Sequence, residues 1–204
     1  MNDLHTLGGV DRCPHCSVSP PLLLQMWRGG TPSTDGARRQ WGFFACVKCG
    51  GGIAASSLPN FALEDQRPAS VFPAVRSAHE DIPPIARQFL QQAFDTLHAP
   101  DAAGVMAGSA VDSMLKELGY EKGSVYERID QALGDNKLTE GMAAWAHSVR
   151  LGANRPRHAD KEKPHLSPDE AKQSVDFAEA LGNFLFVLSA KIQRGIAAAK
   201  AAES

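Results

Sequence analysis

Four cysteines stand in two matched pairs, Cys13-Pro14-His15-Cys16 and Cys46-Val47-Lys48-Cys49. A two-residue gap lets a tight turn aim both sulfurs at one metal, and two such knuckles supply four thiolates. That donor set fits one structural Zn2+ per chain, held by Cys13, Cys16, Cys46 and Cys49, with His15 outside a filled shell. Gly50-Gly51-Gly52 follows the second pair and supplies the positive φ values that close such a turn. Redox pairing of the thioredoxin kind would call for a strand–helix context that is lacking. The sequence carries no export signal, so structural disulfides are not expected either.

A second group of residues could do phosphate chemistry. The run Arg150-Leu151-Gly152-Ala153-Asn154-Arg155-Pro156-Arg157-His158 places an arginine ahead of a glycine, a proline and a histidine. Gly152 is expected to end a helix and Pro156 to stop it resuming, so that the chain folds back and brings His158 towards Arg150. A guanidinium grips a phosphate bidentately, and an imidazole beside it can move a proton to or from a ribose hydroxyl. Asn154 would hold the turn, and no metal is needed. Arg155, Arg157 and Lys161 are candidate nucleic-acid contacts. The competing reading is an ordinary solvated loop, in which Arg150 only complements the helix dipole. His147, one turn before Arg150, reads as a surface residue.

These residues need elements to position them. Residues 1–55 read as a zinc ribbon. Pro21 to Arg28 and Gln40 to Ala45 are its strands, joined by the turn-rich Gly29 to Gly36. Its apolar content is small for about 50 residues, so the metal should carry the folding energy. Arg28, Arg38, Arg39 and Lys48, with Trp27, Trp41, Phe43 and Phe44, admit two readings: a stacking and phosphate surface, or a small aromatic core with a charged rim. Residues 56–83 are a Pro-rich connector pinned by Phe61, Val71 and Phe72.

Residues 84–204 turn to helical spacing. Ile85, Phe89, Ala93 and Leu97 form one stripe, and Ala107, Val111, Met114 and Leu118 a second. Ser124 caps a third helix, and Leu138, Met142, Trp145 and Val149 mark a fourth. Ser167-Pro168-Asp169-Glu170 is a cap, proline and acid start for a long fifth, with Ala171, Val175, Ala178, Leu181, Leu185, Leu188 and Ile192 inward. The expected class is mainly α: a small N-terminal β zinc ribbon followed by an antiparallel five-helix bundle.

Composition bounds the function. The 204 residues are 43% apolar and 22% charged, with a formal net charge of −2, which excludes a disordered chain and a uniformly basic coat. Residues 141–166 hold five cations and two acids, with His147, His158 and His165 as well. That makes the segment the first place to look for an anion site. Apolar runs stay far below the ~20 residues of a membrane helix. A cytoplasmic protein without membrane association is expected.

At this point residues 69–195 resemble the HEPN superfamily of all-helical, RNA- and nucleotide-associated domains. More narrowly they resemble a bacterial branch of unknown function often found near restriction and phage-defence genes. The resemblance rests on Val71-Phe72-Pro73, Ile82-Pro83-Pro84, Val111-Asp112-Ser113-Met114-Leu115, the Arg150, Asn154 and His158 loop, and Leu166-Ser167-Pro168-Asp169-Glu170-Ala171. It implies a HEPN-like bundle that homodimerises, bringing two loops into one cleft, and a metal-independent endoribonuclease in phage defence or stress response. Arg150 would hold the scissile phosphate, His158 would do acid/base work, Asn154 would support the loop and Asp112 would orient the arginine. The alternative is a non-catalytic dimeric adaptor that binds nucleic acid or a protein partner in a defence or restriction system.

Overall fold

The computed structural model describes residues 7–32, 34–63, 67–158 and 161–202. It divides into two compact units, Met1–Arg76 and Ser77–Ser204. About half of the chain is helical, 49%, against 14% strand.

The first unit is one antiparallel sheet in the order β1-β2-β3-β4. Its strands are β1 (Leu23–Pro32), β2 (Arg38–Cys46), β3 (Gly52–Ser56) and β4 (Ser70–Phe72). The first two match the expected pair and run longer. β3 and β4 had no readable pattern, being five and three residues long. β4 lies inside the Pro-rich stretch, where a three-residue edge strand needs few backbone N–H groups and tolerates nearby prolines. The core of this unit is Leu7, Cys13, Leu23, Phe44, Cys46, Ile53, Ala55 and Leu63. Two of those eight are metal-site cysteines, so little apolar surface remains to hold the sheet by itself.

The second unit holds five helices: α1 (Pro84–Asp95), α2 (Pro100–Glu117), α3 (Val125–Gly134), α4 (Glu140–Arg157) and a long α5. The last runs as Pro168–Gly182, one π-helical turn at Asn183–Val187, then Leu188–Ala202. Capping boxes start α3 at Ser124 and α5 at Ser167, each with the glutamate three residues on bonded back to the cap. α2 is central and packs on all four other helices. Its small residues permit this: a Cβ on Gly104 would meet Leu166 at 2.9 Å, and one on Gly108 would meet the Ala153 Cβ at 2.7 Å.

Several expected stripes shift. α1 buries Ala86, Leu90, Ala93 and Phe94, while Ile85 is exposed. α4 buries Ala143, Ala146, Val149, Gly152 and Ala153, leaving Trp145 half-open. α5 buries Ala171, Val175, Ala178 and Leu181 as expected, but Leu188 and Ile192 beyond the π turn are exposed. The larger difference is the end of α4. It does not stop near Gly152 but continues to Arg157 with Pro156 inside, and His158 is its C-cap, donating its N–H to the Asn154 carbonyl at 3.0 Å.

Candidate functional site

The metal centre is built by two near-identical turns. Ser17 donates its N–H to the Cys13 carbonyl at 2.9 Å, and Gly50 donates to the Cys46 carbonyl at 2.8 Å. Both closing residues have positive φ, 58° and 71°. Glycine meets that demand without cost at Gly50, whereas Ser17 tolerates it. The four Sγ atoms of Cys13, Cys16, Cys46 and Cys49 lie within 4.8 Å of one another. Cys13 and Cys49 Sγ are 3.9 Å apart, close to the ~3.8 Å edge of a tetrahedron with 2.3 Å metal–sulfur bonds. The backbone N–H groups of His15 and Gly51 point to Cys13 and Cys49 sulfur at 3.4 Å each. The chemistry of this donor set fits one metal ion.

Burial pushes the Cys16 thiol up to about 12 and raises Cys13 as well. Cys46 moves the other way: burial raises it, but the N–H groups of Cys49 and Lys48 outweigh that and lower it. His15 braces the two knuckles from outside. Its Nε2 donates to the Gly52 carbonyl at 2.8 Å, and a Cβ on Gly51 would collide with its ring at 2.4 Å.

At the far end of the same sheet, Arg28, Arg38 and Arg39 line an open cleft of about 740 Å³ with Gln40, Asn60 and Phe61. Arg28 donates to Gln40 Oε1 at 2.9 Å, and Asn60 Oδ1 accepts the Arg38 backbone N–H at 3.0 Å. Gln40 engages the Arg28 guanidinium and Asn60 the Arg38 backbone, and both arginines are exposed residues. Asn60 and Phe61 lay in a stretch without period, and only pairing of β2 with the chain after β3 brings them here.

In the helical unit the expected constellation is distributed. Arg150 is half-buried over the Tyr126 ring, 5.4 Å from its centroid. Its Nε is buried and has no hydrogen-bond partner among the described residues. It lines a small cavity with Gly108, Asn154 and Arg157. His158 lines another pocket, of about 560 Å³, with Ser148, Asn154, Arg155 and Glu170. Asn154 borders both. Asp112 pairs with Arg128 and, at 2.6 Å, with Lys116. Arg155 donates to Glu170 Oε1 at 3.0 Å, and Lys163 reaches the same oxygen at 2.6 Å. The Lys163 ammonium, the Ser167 N–H and the Arg155 guanidinium together hold the Glu170 carboxyl at about 2. Arg157, His158 and Lys161 are exposed.

His147, read as a surface residue, is engaged instead. Its Nε2 is 3.1 Å from Asp130 Oδ1 and its ring packs against Tyr126 at 4.7 Å. His165 Nδ1 lies 2.7 Å from Asp101 Oδ2, and the Leu166 N–H donates to the other oxygen at 2.7 Å. No helix among the described residues is long and apolar enough to cross a membrane.

A family model described as Domain of unknown function (DUF4145) matches residues 91–198, just over half of the chain. No curated protein and no solved structure matches it.

Proposed function

The chain belongs to the family described as Domain of unknown function (DUF4145), and on that premise we propose that it is a non-catalytic RNA-binding adaptor. Its ribbon is clamped by Zn2+ and its bundle is HEPN-like and homodimeric. The observation that carries this reading is the convergence of Arg28, Arg38 and Arg39 on one open cleft whose walls are pinned by Gln40 and Asn60. Guanidinium groups gathered along one cleft suit phosphate oxygens. The separate surroundings of Arg150 and His158 favour binding over cleavage. A cytoplasmic role beside a phage-defence or restriction partner completes the proposal.

The test is anisotropy of a labelled single-stranded RNA of about 20 nucleotides, titrated between 50 and 200 mM salt. Affinity should fall with salt at a slope of about −0.7 for each phosphate contact. Arg38→Glu and Arg39→Glu should each weaken it at least about ten-fold, since each replaces a contact with a repulsion. Absence of binding at any salt removes the proposal. For the metal, elemental analysis should find one zinc per chain, and Cys46→Ser should lose it together with the ribbon fold. A native-like metal-free ribbon would overturn that part.

Metal-independent RNA cleavage is the second reading, favoured by one observation: His158 shares an open pocket with Asn154, Ser148 and the Arg155 guanidinium. Cleavage in EDTA that disappears in His158→Ala would establish it.

A further inference from the structure

We infer that the face of the ribbon sheet turned away from its core is a stacking platform for unpaired bases, selecting single-stranded RNA over duplex. This rests on the RNA-binding reading above and names the substrate class.

Residues directly opposite one another in an antiparallel pair project from the same face. The registers run Trp27↔Phe43, Phe43↔Ala54 and Ala54↔Phe72, so three aromatics occupy one row across all four strands. Trp41, two residues before Phe43, shares that face and stacks on Phe72 with centroids 6.2 Å apart. Its Nε1–H donates to Thr31 Oγ1 at 3.1 Å, which fixes the ring. Thr31 is in turn opposite Arg39, so a cation sits at the end of the aromatic face.

The opposite face is the core. Phe44, Leu23, Cys46 and Ile53 project there, and Phe44 is 2% exposed. By contrast Trp27, Phe43 and Phe72 are 57%, 44% and 53% exposed. Aromatics spent on folding would be covered, so these three contribute little to the core while remaining ordered. Glycines explain how. A Cβ on Gly29 would stand 2.4 Å from the Trp27 ring, and one on Gly52 would stand 2.5 Å from Phe43. Each ring therefore lies against bare backbone, with its far side open to solvent.

Charge identifies the occupant. Residues 22–56 carry four cations, Arg28, Arg38, Arg39 and Lys48, against one acid, Asp35. Of the strand cations, Arg39 shares the aromatic face, while Arg28 and Arg38, opposite Gly42 and Pro32, project from the other face. An apolar protein partner gains nothing from the Arg39 guanidinium, whereas a strand with bases on the rings and a phosphate at Arg39 matches both parts. At about 4.8 Å between strands, the row spans about 14 Å, room for two or three splayed bases. In a duplex the base faces are already stacked on each other and unavailable.

The experiment uses the full chain with its metal, a single-stranded RNA of about 12 nucleotides and the same sequence as a blunt duplex. Single strands should bind at least about ten-fold tighter and quench tryptophan fluorescence. Trp27→Ala and Phe43→Ala should each lose about ten- to hundred-fold. Trp27→Leu, which keeps apolar bulk without a π face, should lose as much, while Trp27→Phe should recover most of it. Metal content and melting temperature confirm that each variant is folded. Equal binding of duplex, or wild-type affinity in Trp27→Leu, overturns the inference while Arg38→Glu still reports on RNA binding. Self-association that disappears in Trp27→Ala would overturn it by assigning the face to a second copy. Binding of neither RNA would remove the RNA-binding reading and this inference together.

Discussion

Arg150 and His158 stand eight residues apart on one helix, α4, and line different pockets. Eight residues correspond to about 12 Å of rise and leave the two directions about 80° apart. Within one chain, then, the guanidinium and the imidazole line separate pockets that share Asn154. Arg150 rests on Tyr126, and the residues flanking His158 are Asn154, Arg155 and Glu170.

Arg150→Ala and His158→Ala should therefore act independently. Arg150→Ala is expected to cost about 1 kcal/mol of stability through the lost contact with Tyr126, read as a lower denaturant midpoint. His158→Ala, altering an exposed cap, should stay within about 0.5 kcal/mol. In single-stranded RNA binding, the double variant should match the sum of the singles. A coupling above about 1 kcal/mol would place both at one site.

Asp112 holds Arg128, whose side chain is only 10% exposed. Asp112→Asn keeps the shape and removes the charge, leaving a buried guanidinium without its counter-ion. The expected loss is about 3 kcal/mol, the low end for a broken buried pair because Asp112 keeps some water. Urea denaturation measures it. A loss below about 1 kcal/mol would show that Lys116 and Arg128 do not depend on this carboxylate.

Two glycines should respond oppositely to alanine. Gly195 lies in the exposed last part of α5 with nothing near a new Cβ, so Gly195→Ala should stabilise by about 0.5–1 kcal/mol. At Gly108 the new methyl would sit 2.7 Å from Ala153 Cβ. Overpacking there costs about 1–3 kcal/mol, which exceeds the propensity gain, so Gly108→Ala should destabilise. Thermal melts of the two variants check the sign.

Acid should loosen the start of α5 and the segment before it. Glu170 is held at about 2 by Lys163, the Ser167 N–H and Arg155, and Asp101 is lowered by the Leu166 N–H and His165. Carboxyls depressed in the folded state contribute stability above their unfolded values, and that contribution is lost as pH falls through the folded ones. Hydrogen exchange at residues 161–171 should therefore accelerate between about pH 4.5 and 2, and Glu170→Gln should remove most of that dependence.

Much of the architecture is written in short-range chemistry. The knuckle spacing, the Ser124 and Ser167 caps and the proline opening α5 each act within a few residues, so inspection of the chain finds them. Periodicity located all five helices but misjudged which face is wet, as at Ile85, Trp145 and Leu188, because the neighbour that covers a stripe is chosen by tertiary packing. Asn60 was hidden, and Phe72 was read as a pin although it is exposed, for a related reason. A three-residue strand and a single turn asparagine have no period, and acquire meaning only when β2 and β3 bring partners to them.

By itself, then, the amino-acid order settled where helices and turns begin and which four sulfurs can meet. It did so because capping, turn closure and ligand spacing are local. Tertiary structure alone decided that α4 runs on to Arg157 through Gly152 and Pro156. Gly152 and Ala153 are buried there: a Cβ on Gly152 would meet Leu166 at 3.6 Å, and Ala153 is tight against Gly108. Packing of small residues against α2 and the Leu166 segment outweighs the helix-breaking preference of a glycine and a late proline. That long-range energy sets Arg150 and His158 in different pockets. The local pleat of β2, by contrast, puts the adjacent Phe43 and Phe44 on opposite faces, and tertiary packing decides only which of those faces is the core.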